Sequence, residues 1–163
     1  MRLKNTKEAL QEFGKYVVTQ SRSALTRKKK SLTGELYKSL SYEIIETGDG
    51  VKVVFDMADY GKFVDKGVSG KEKKYDTPYK YTSKKPPMKP LMEWAKKRKF
   101  RLRDEKGKFA KGNYRTIGFI LQNSIYKKGL KPSMFFTRPF NLAFDRFGDD
   151  VVKAFLKDID DTI

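Results

Sequence analysis

Apolar residues recur at helical spacing from the amino end of the chain. Leu3, Leu10, Phe13, Val17 and Ala24 are seven, three, four and seven positions apart, which sets them on one stripe of a helix from about residue 5 to residue 28. Lys28-Lys29-Lys30 is the expected stop, because cations are favoured at the partially negative carboxyl end of a helix. Thr33 to Leu40 reads as one or two further helical turns. The pattern then changes to alternation. Ser41 to Glu46 and Val51 to Met57 are β-rich runs around Thr47-Gly48-Asp49-Gly50, a hairpin signal. In the second run Val51, Val53 and Phe55 alternate with Lys52, Val54 and Asp56, so one face is apolar and needs a helix packed on it.

Tyr60, Phe63 and Val64 share one face of a short docking helix that Gly67 terminates. From Val68 to Lys89 no hydrophobic period survives, and Ser69-Gly70, Thr77-Pro78 and Pro86-Pro87 mark a long polar loop. Long loops in compact domains are usually functional or mobile. Pro90 opens an amphipathic helix with Leu91, Trp94 and Ala95 on its apolar side. Phe100 to Arg103 and Lys108 to Ala110 flank Asp104-Glu105-Lys106-Gly107, which predicts a small exposed hairpin. Asn113 is the N-cap of the next helix, with Tyr114, Ile117, Gly118, Leu121 and Ile125 on one face and Gly129 closing it. The last helix begins near Thr137 and runs toward Asp160, with Phe140, Phe144, Phe147, Val151, Phe155 and Ile159 as its core stripe.

These elements predict an α+β fold. A small antiparallel sheet is packed by an amino-terminal, a central and a carboxyl-terminal helix. Residues 1–163 form a single domain, with 68–112 as an extended basic loop, helix and hairpin insertion. At 163 residues there is room for about one compact domain. No stretch approaches the roughly 18 uncharged residues that a spanning helix requires, and the amino end has no signal-peptide core, so a soluble protein with no membrane partner is expected.

Composition narrows the chemistry further. With no cysteine and no histidine, thiolate and Ser-His-Asp catalysis are excluded, and a zinc or iron site is disfavoured. The 37 Lys+Arg against 20 Asp+Glu leave a net charge of +17. That charge is concentrated. Residues 62–131 hold 22 basic and 6 acidic groups, while residues 1–61 stand at +3 and residues 132–163 at −2. Lysine supplies 28 of the 37 cations, which suits phosphate contact better than bidentate base reading.

Glu72-Lys73-Lys74 downstream of Asp56, Asp59 or Asp65 has the composition of a metal nuclease site, but it falls in a polar loop and not on a buried strand. Gly67-Val68-Ser69-Gly70-Lys71 lacks the spacing of a phosphate-binding loop and reads as a turn. Tyr75, Tyr79, Tyr81, Trp94, Phe100 and Phe109 are interleaved with lysines, as in a stacking platform set in a basic groove; the alternative is that Trp94 and Phe100 are core or interface anchors and the lysines a soluble rim. Lys71, Lys73, Lys74, Lys84, Lys85, Lys96, Lys97 and Arg98 are candidate contacts to phosphate or to an acidic partner. A stand-alone basic nucleic-acid-binding protein is therefore one reading.

A resemblance supports another. Thr33-Gly34-Glu35-Leu36-Tyr37-Lys38-Ser39-Leu40 before a hairpin, followed by Tyr60-Gly61-Lys62-Phe63-Val64-Asp65-Lys66-Gly67, resembles the "Tyr-Ala-x-Phe-Val-Glu-x-Gly-Thr" region of the tail-completion, or head–tail joining, proteins of tailed bacteriophages. Pro90 to Lys97 is similar to that family's helix around "Pro-x-x-x-Trp-x-x-x-Lys". Ile125 to Phe140 is similar to its "Ile-x-x-x-Gly-x-x-Pro-x-x-Phe-Phe-x-x-Pro/Ala" ending. Val68 and Asp65 depart from the family pattern.

The resemblance implies a structural virion protein, not an enzyme and without a cofactor, made in the host cytoplasm. It would form a homo-oligomeric ring, a hexamer or dodecamer, in the phage neck. Its neighbours would be the portal-side adaptor and a tail-terminator or tail-tube protein, with non-specific contact to genomic DNA; a tail-terminator ring is the related alternative. The interface candidates are Tyr60, Phe63, Gly67, Tyr79, Tyr81, Trp94, Phe100, Phe109, Phe135 and Phe136.

Overall fold

The computed structural model of the chain describes residues 3–27, 34–48 and 50–161. The described elements are α1 (Lys4–Arg27), α2 (Glu35–Ser39), β1 (Ser41–Thr47), β2 (Gly50–Asp56), α3 (Gly61–Lys66), α4 (Met88–Lys97), α5 (Tyr114–Lys128) and α6 (Thr137–Asp160). This is a mixed helix and strand architecture, in agreement with the α+β expectation. The expected stop at Lys28-Lys29-Lys30, Thr33 and Asp49 of the hairpin turn lie outside the described residues. The chain divides into two compact units: one holds the residues up to Gly61 together with those from Met134 onward, and the other holds Lys62–Ser133.

In the first unit the hairpin and α6 both pack on α1. β1 and β2 pair antiparallel with Tyr42 opposite Phe55 and Ile44 opposite Val53, which turns the alternating apolar residues to one side. The core gathers Phe13, Val17 and Ala143, with Val53, Phe55, Phe136, Phe140 and Phe147 against them. It is rich in edge-on aromatic pairs: Phe13 meets Phe140 at 5.6 Å and Phe55 meets Phe136 at 5.4 Å between ring centroids. Gly14 makes room for the hairpin, because a Cβ there would lie 2.4 Å from the Tyr42 ring. Arg22 reaches from α1 to the end of α2, donating to the carbonyls of Leu40 at 2.7 Å and Tyr37 at 3.2 Å.

The expected α6 stripe is corrected in part. Phe140 and Phe147 reach the core, but Phe144 is 63% exposed and Phe155 is 41% exposed. The buried line runs instead through Phe136, Phe140, Ala143 and Phe147. Ala143 is the small residue at the contact with α1, and Phe144, the next residue, is turned about 100° further round the helix and away from α1.

In the second unit α4 packs on α5. A Cβ on Gly118 would lie 2.4 Å from Met92 Cγ, so glycine is what lets these helices approach. α4 begins at Met88, two residues before the expected start at Pro90. Pro90 is the third helical residue, where the missing N–H had no intrahelical acceptor. Asn113 caps α5 as expected, its Oδ1 accepting the Thr116 N–H at 2.9 Å. Gly129, at φ 72, ends it.

The segment from Val68 differs most from its sequence reading. Val68 exchanges backbone bonds with Leu130 at 2.9 and 2.7 Å. Ser69 donates to the Tyr79 carbonyl at 2.8 Å and accepts from Tyr81 N–H at 2.9 Å. The Ser69 hydroxyl accepts from Tyr75 N–H at 2.9 Å and donates to the Tyr75 carbonyl at 3.1 Å. The amides of Lys71 and Glu72 are held by the carbonyls of Tyr126 and Lys127 at the end of α5. Residues 68–81 are thus tied to one another and to the end of α5 by hydrogen bonds, over a stretch with no hydrophobic period. Backbone pairing of this kind uses no side-chain period, which is why the hydrophobic pattern does not report it.

Candidate interaction surfaces

The division of the chain is also a division of charge. The 22 basic and 6 acidic residues of the sequence between 62 and 133 all belong to the second unit, while the rest of the chain holds 15 and 14. The first unit is close to neutral. Its conspicuous surface is apolar: on α6, Phe144 (63% exposed), Val152 (57%), Phe155 (41%) and Leu156 (54%) lie along one side of the helix, next to the buried line. Sequence reasoning placed Phe144 and Phe155 in the core and did not single out Val152 or Leu156. The available signal was the breadth of the apolar arc, wider than one partner helix covers.

Two expected interface residues are core residues. Phe135 is fully buried, and Phe136 packs on Phe55. Gly67 is buried as well. Its φ is 74, and a Cβ there would lie 2.5 Å from the Leu130 carbonyl oxygen, so its role is in the backbone crossing. Tyr60 is exposed in the first unit. Partial burial raises its hydroxyl pKa, with the Glu35 carboxylate adding to the effect.

The other candidates lie in the second unit. Phe63 and Tyr79 meet edge to face at 4.7 Å, and Tyr81 lies 6.2 Å from Tyr126. Burial raises the Tyr81 hydroxyl pKa. Lys71 and Lys85 converge on the Tyr126 ring at 6.0 and 5.7 Å, and Lys85 Nζ also donates to Asn123 Oδ1 at 2.8 Å. Lys73 lies over Tyr75 at 5.5 Å. Lys74 is used internally, donating to the Gly70 carbonyl at 2.8 Å. Lys84 is exposed on the same segment. Lys96, Lys97 and Arg98 crowd the carboxyl end of α4, where the helix dipole favours them without a ligand.

Trp94 and Phe100 stack at 5.0 Å. Beyond them the expected hairpin forms around one bridge, Arg103 to Phe109, with Asp104 Oδ1 accepting the amides of Lys106 and Lys108. Phe109 is 62% exposed, and the guanidinium groups of Arg101 and Arg103 lie over its ring at 5.3 and 4.7 Å. The sequence reading placed both arginines in the hairpin but offered only Phe109 as a contact residue.

Among the described residues no group of three or more Asp, Glu, His or Cys could hold a metal ion. Glu72, the acid of the nuclease-like triplet, is exposed and pairs with Lys127 at 3.4 Å. No described helix is long and apolar enough to cross a membrane. Comparison with protein-family models, with curated proteins and with solved structures finds no match to this chain.

Proposed function

We propose that this chain is a structural subunit of the neck of a tailed bacteriophage, assembling with copies of itself into a ring between the portal-side adaptor and the tail. The observation that carries the reading is the apolar side of α6, where Phe144, Val152, Phe155 and Leu156 stand in solvent on an otherwise near-neutral unit. Each of these side chains still has a large part of its surface to lose to a neighbour, and removing that apolar surface from water favours association. The order of the sequence blocks from Thr33 to Phe140 supports the neck assignment, and the Tyr60 to Gly67 block coincides with α3 and its glycine stop.

A ring is built from two unlike faces of each subunit, and the apolar α6 side supplies one of them. Apart from the ring contact, the basic second unit offers a polar surface suited to an acidic neighbour or to the genome passing through the neck. A tail-terminator ring uses the same parts, and imaging the protein at the head-proximal joint or at the tail end separates the two.

The test is light scattering of the purified chain together with complementation of particles lacking it. A ring-sized mass, lost on Phe144→Glu with Phe155→Glu along with head–tail joining, supports the proposal. The second reading, a stand-alone nucleic-acid-binding protein, is favoured by the +16 of the second unit. A monomer with tight, steeply salt-dependent DNA binding and no effect on joining would establish that reading instead.

A further inference from the structure

We infer that the hairpin side of the second unit carries a binding site for single-stranded nucleic acid, in which one unpaired base occupies a recess beside Phe109. The recess measures about 500 Å³, within the range of sites for small planar ligands. Leu102 and Ile117 line it with aliphatic surface, and Phe100, Phe109 and Tyr114 supply aromatic rings. Its cations are Arg101 and Lys111. Gly112 also lines it, with the Leu102 side chain packed against its Cα.

Three features point to this ligand. Phe109 is held in the open by a hairpin turn and covered only in part, which is the arrangement of a stacking platform. Arg101, already positioned over that ring, keeps a planar donor fork that suits phosphate oxygens, while Arg103 gives one nitrogen to the Gly107 carbonyl at 2.9 Å and retains its other donors. The surrounding unit has a large excess of positive charge, complementary to a polyanion. An acidic peptide brings carboxylates but only an occasional planar ring, whereas each residue of a strand brings one ring and one phosphate. In a duplex the base faces are already stacked on their neighbours, so a duplex meets only the cations. The site stands independently of the ring assembly, and its failure would leave that proposal untouched.

The single tryptophan provides the probe, because Trp94 stacks on Phe100 and Phe100 lines the recess. The full chain is titrated with a short single-stranded oligothymidylate, a duplex of equal length, thymidine monophosphate and polyglutamate. The expected result is quenching of Trp94 emission by the oligothymidylate, with tighter binding than for the duplex or the mononucleotide. Phe109→Ala and Phe109→Leu should each weaken single-strand binding about tenfold while leaving duplex binding unchanged, because leucine keeps the bulk but not the π face. Arg101→Gln should lower the salt slope of binding by about one. Circular dichroism of each variant checks the fold. Binding of polyglutamate as tight as that of the oligothymidylate, or equal single-strand affinity in the wild type and both Phe109 variants, would overturn the proposal; the first outcome assigns the surface to an acidic protein. Saturation by thymidine monophosphate at the same nucleotide concentration would overturn the strand and leave a free-nucleotide site.

Discussion

The carboxylate of Asp158, near the end of α6, accepts the Thr6 hydroxyl at 2.6 Å and the Thr6 backbone N–H at 2.8 Å, 152 positions away in sequence. Its other oxygen accepts from the Asn5 backbone N–H at 2.9 Å and the Asn5 side-chain amide at 2.7 Å. The first turn of α1 contains no acidic residue of its own. Asp158 therefore caps α1 from a distance, satisfying amides that the helix leaves unpaired and placing negative charge at the positive end of its dipole.

Burial alone would raise the pKa of Asp158, but the hydrogen bonds from Thr6 and Asn5 overcome it and hold the carboxyl well below the usual carboxylate range. A depressed folded-state pKa contributes stability that is present above the unfolded value of about 3.9 and is lost as pH falls below it toward the folded value. Asp158→Asn should lower Tm by several degrees at neutral pH and flatten the acid limb of a plot of stability against pH. A double-mutant cycle with Thr6→Ala should be strongly non-additive, since both changes break the same contact. Equal acid sensitivity in the wild type and Asp158→Asn would refute the long-range cap.

The two sides of α6 should respond differently to substitution. Phe140→Ala, on the buried line against Phe13 and Phe55, should destabilise the fold by about 3 kcal/mol in urea unfolding. Phe144→Ser, on the exposed side, should change monomer stability by no more than about 0.5 kcal/mol while weakening self-association measured by sedimentation.

Gly70 should tolerate no side chain. A Cβ there would lie 2.1 Å from the Lys127 carbonyl oxygen, a backbone atom that cannot swing aside. Gly70→Ala should destabilise the second unit by ~2 kcal/mol or more. Hydrogen exchange at the amides of Lys71 and Glu72, which bond to Tyr126 and Lys127, should accelerate with it. In the wild type these amides should already be protected in the isolated chain.

The lysines of the second unit are not equivalent. Lys74 and Lys85 donate to Gly70 and Asn123, so replacing them removes internal bonds along with charge. Lys71→Gln, Lys73→Gln and Lys84→Gln together remove charge at the cost of only two weak contacts, to the Tyr126 and Tyr75 rings. If these groups face phosphate, the triple variant should lower the salt slope of duplex DNA binding by up to about 2.7 without changing Tm. An unchanged slope would direct these cations to an acidic protein or to solvent.

Much of this protein was legible along the chain. The helices near 5–28, 60–67 and 137–160, the hairpin, the Asn113 cap and the glycine stops all depend on residues a few positions apart, and local spacing reports them. The segregation of charge was legible too, although only the fold shows that it follows the border between two compact units. The tertiary structure decided which arc of α6 is covered, because that depends on where Ala143 lets α1 approach, and an apolar stripe as broad as Phe140 to Ile159 does not indicate its own buried edge. It also decided the roles of Phe135 and Phe136, the backbone pairing of residues 68–81 and the recess beside Phe109. Asp158 is the clearest case. In sequence it is one of several acidic residues near the carboxyl end, and it becomes the cap of α1 only when folding brings Asn5 and Thr6 to it, because a hydrogen bond depends on distance in space and carries no trace in the pattern of neighbouring residues.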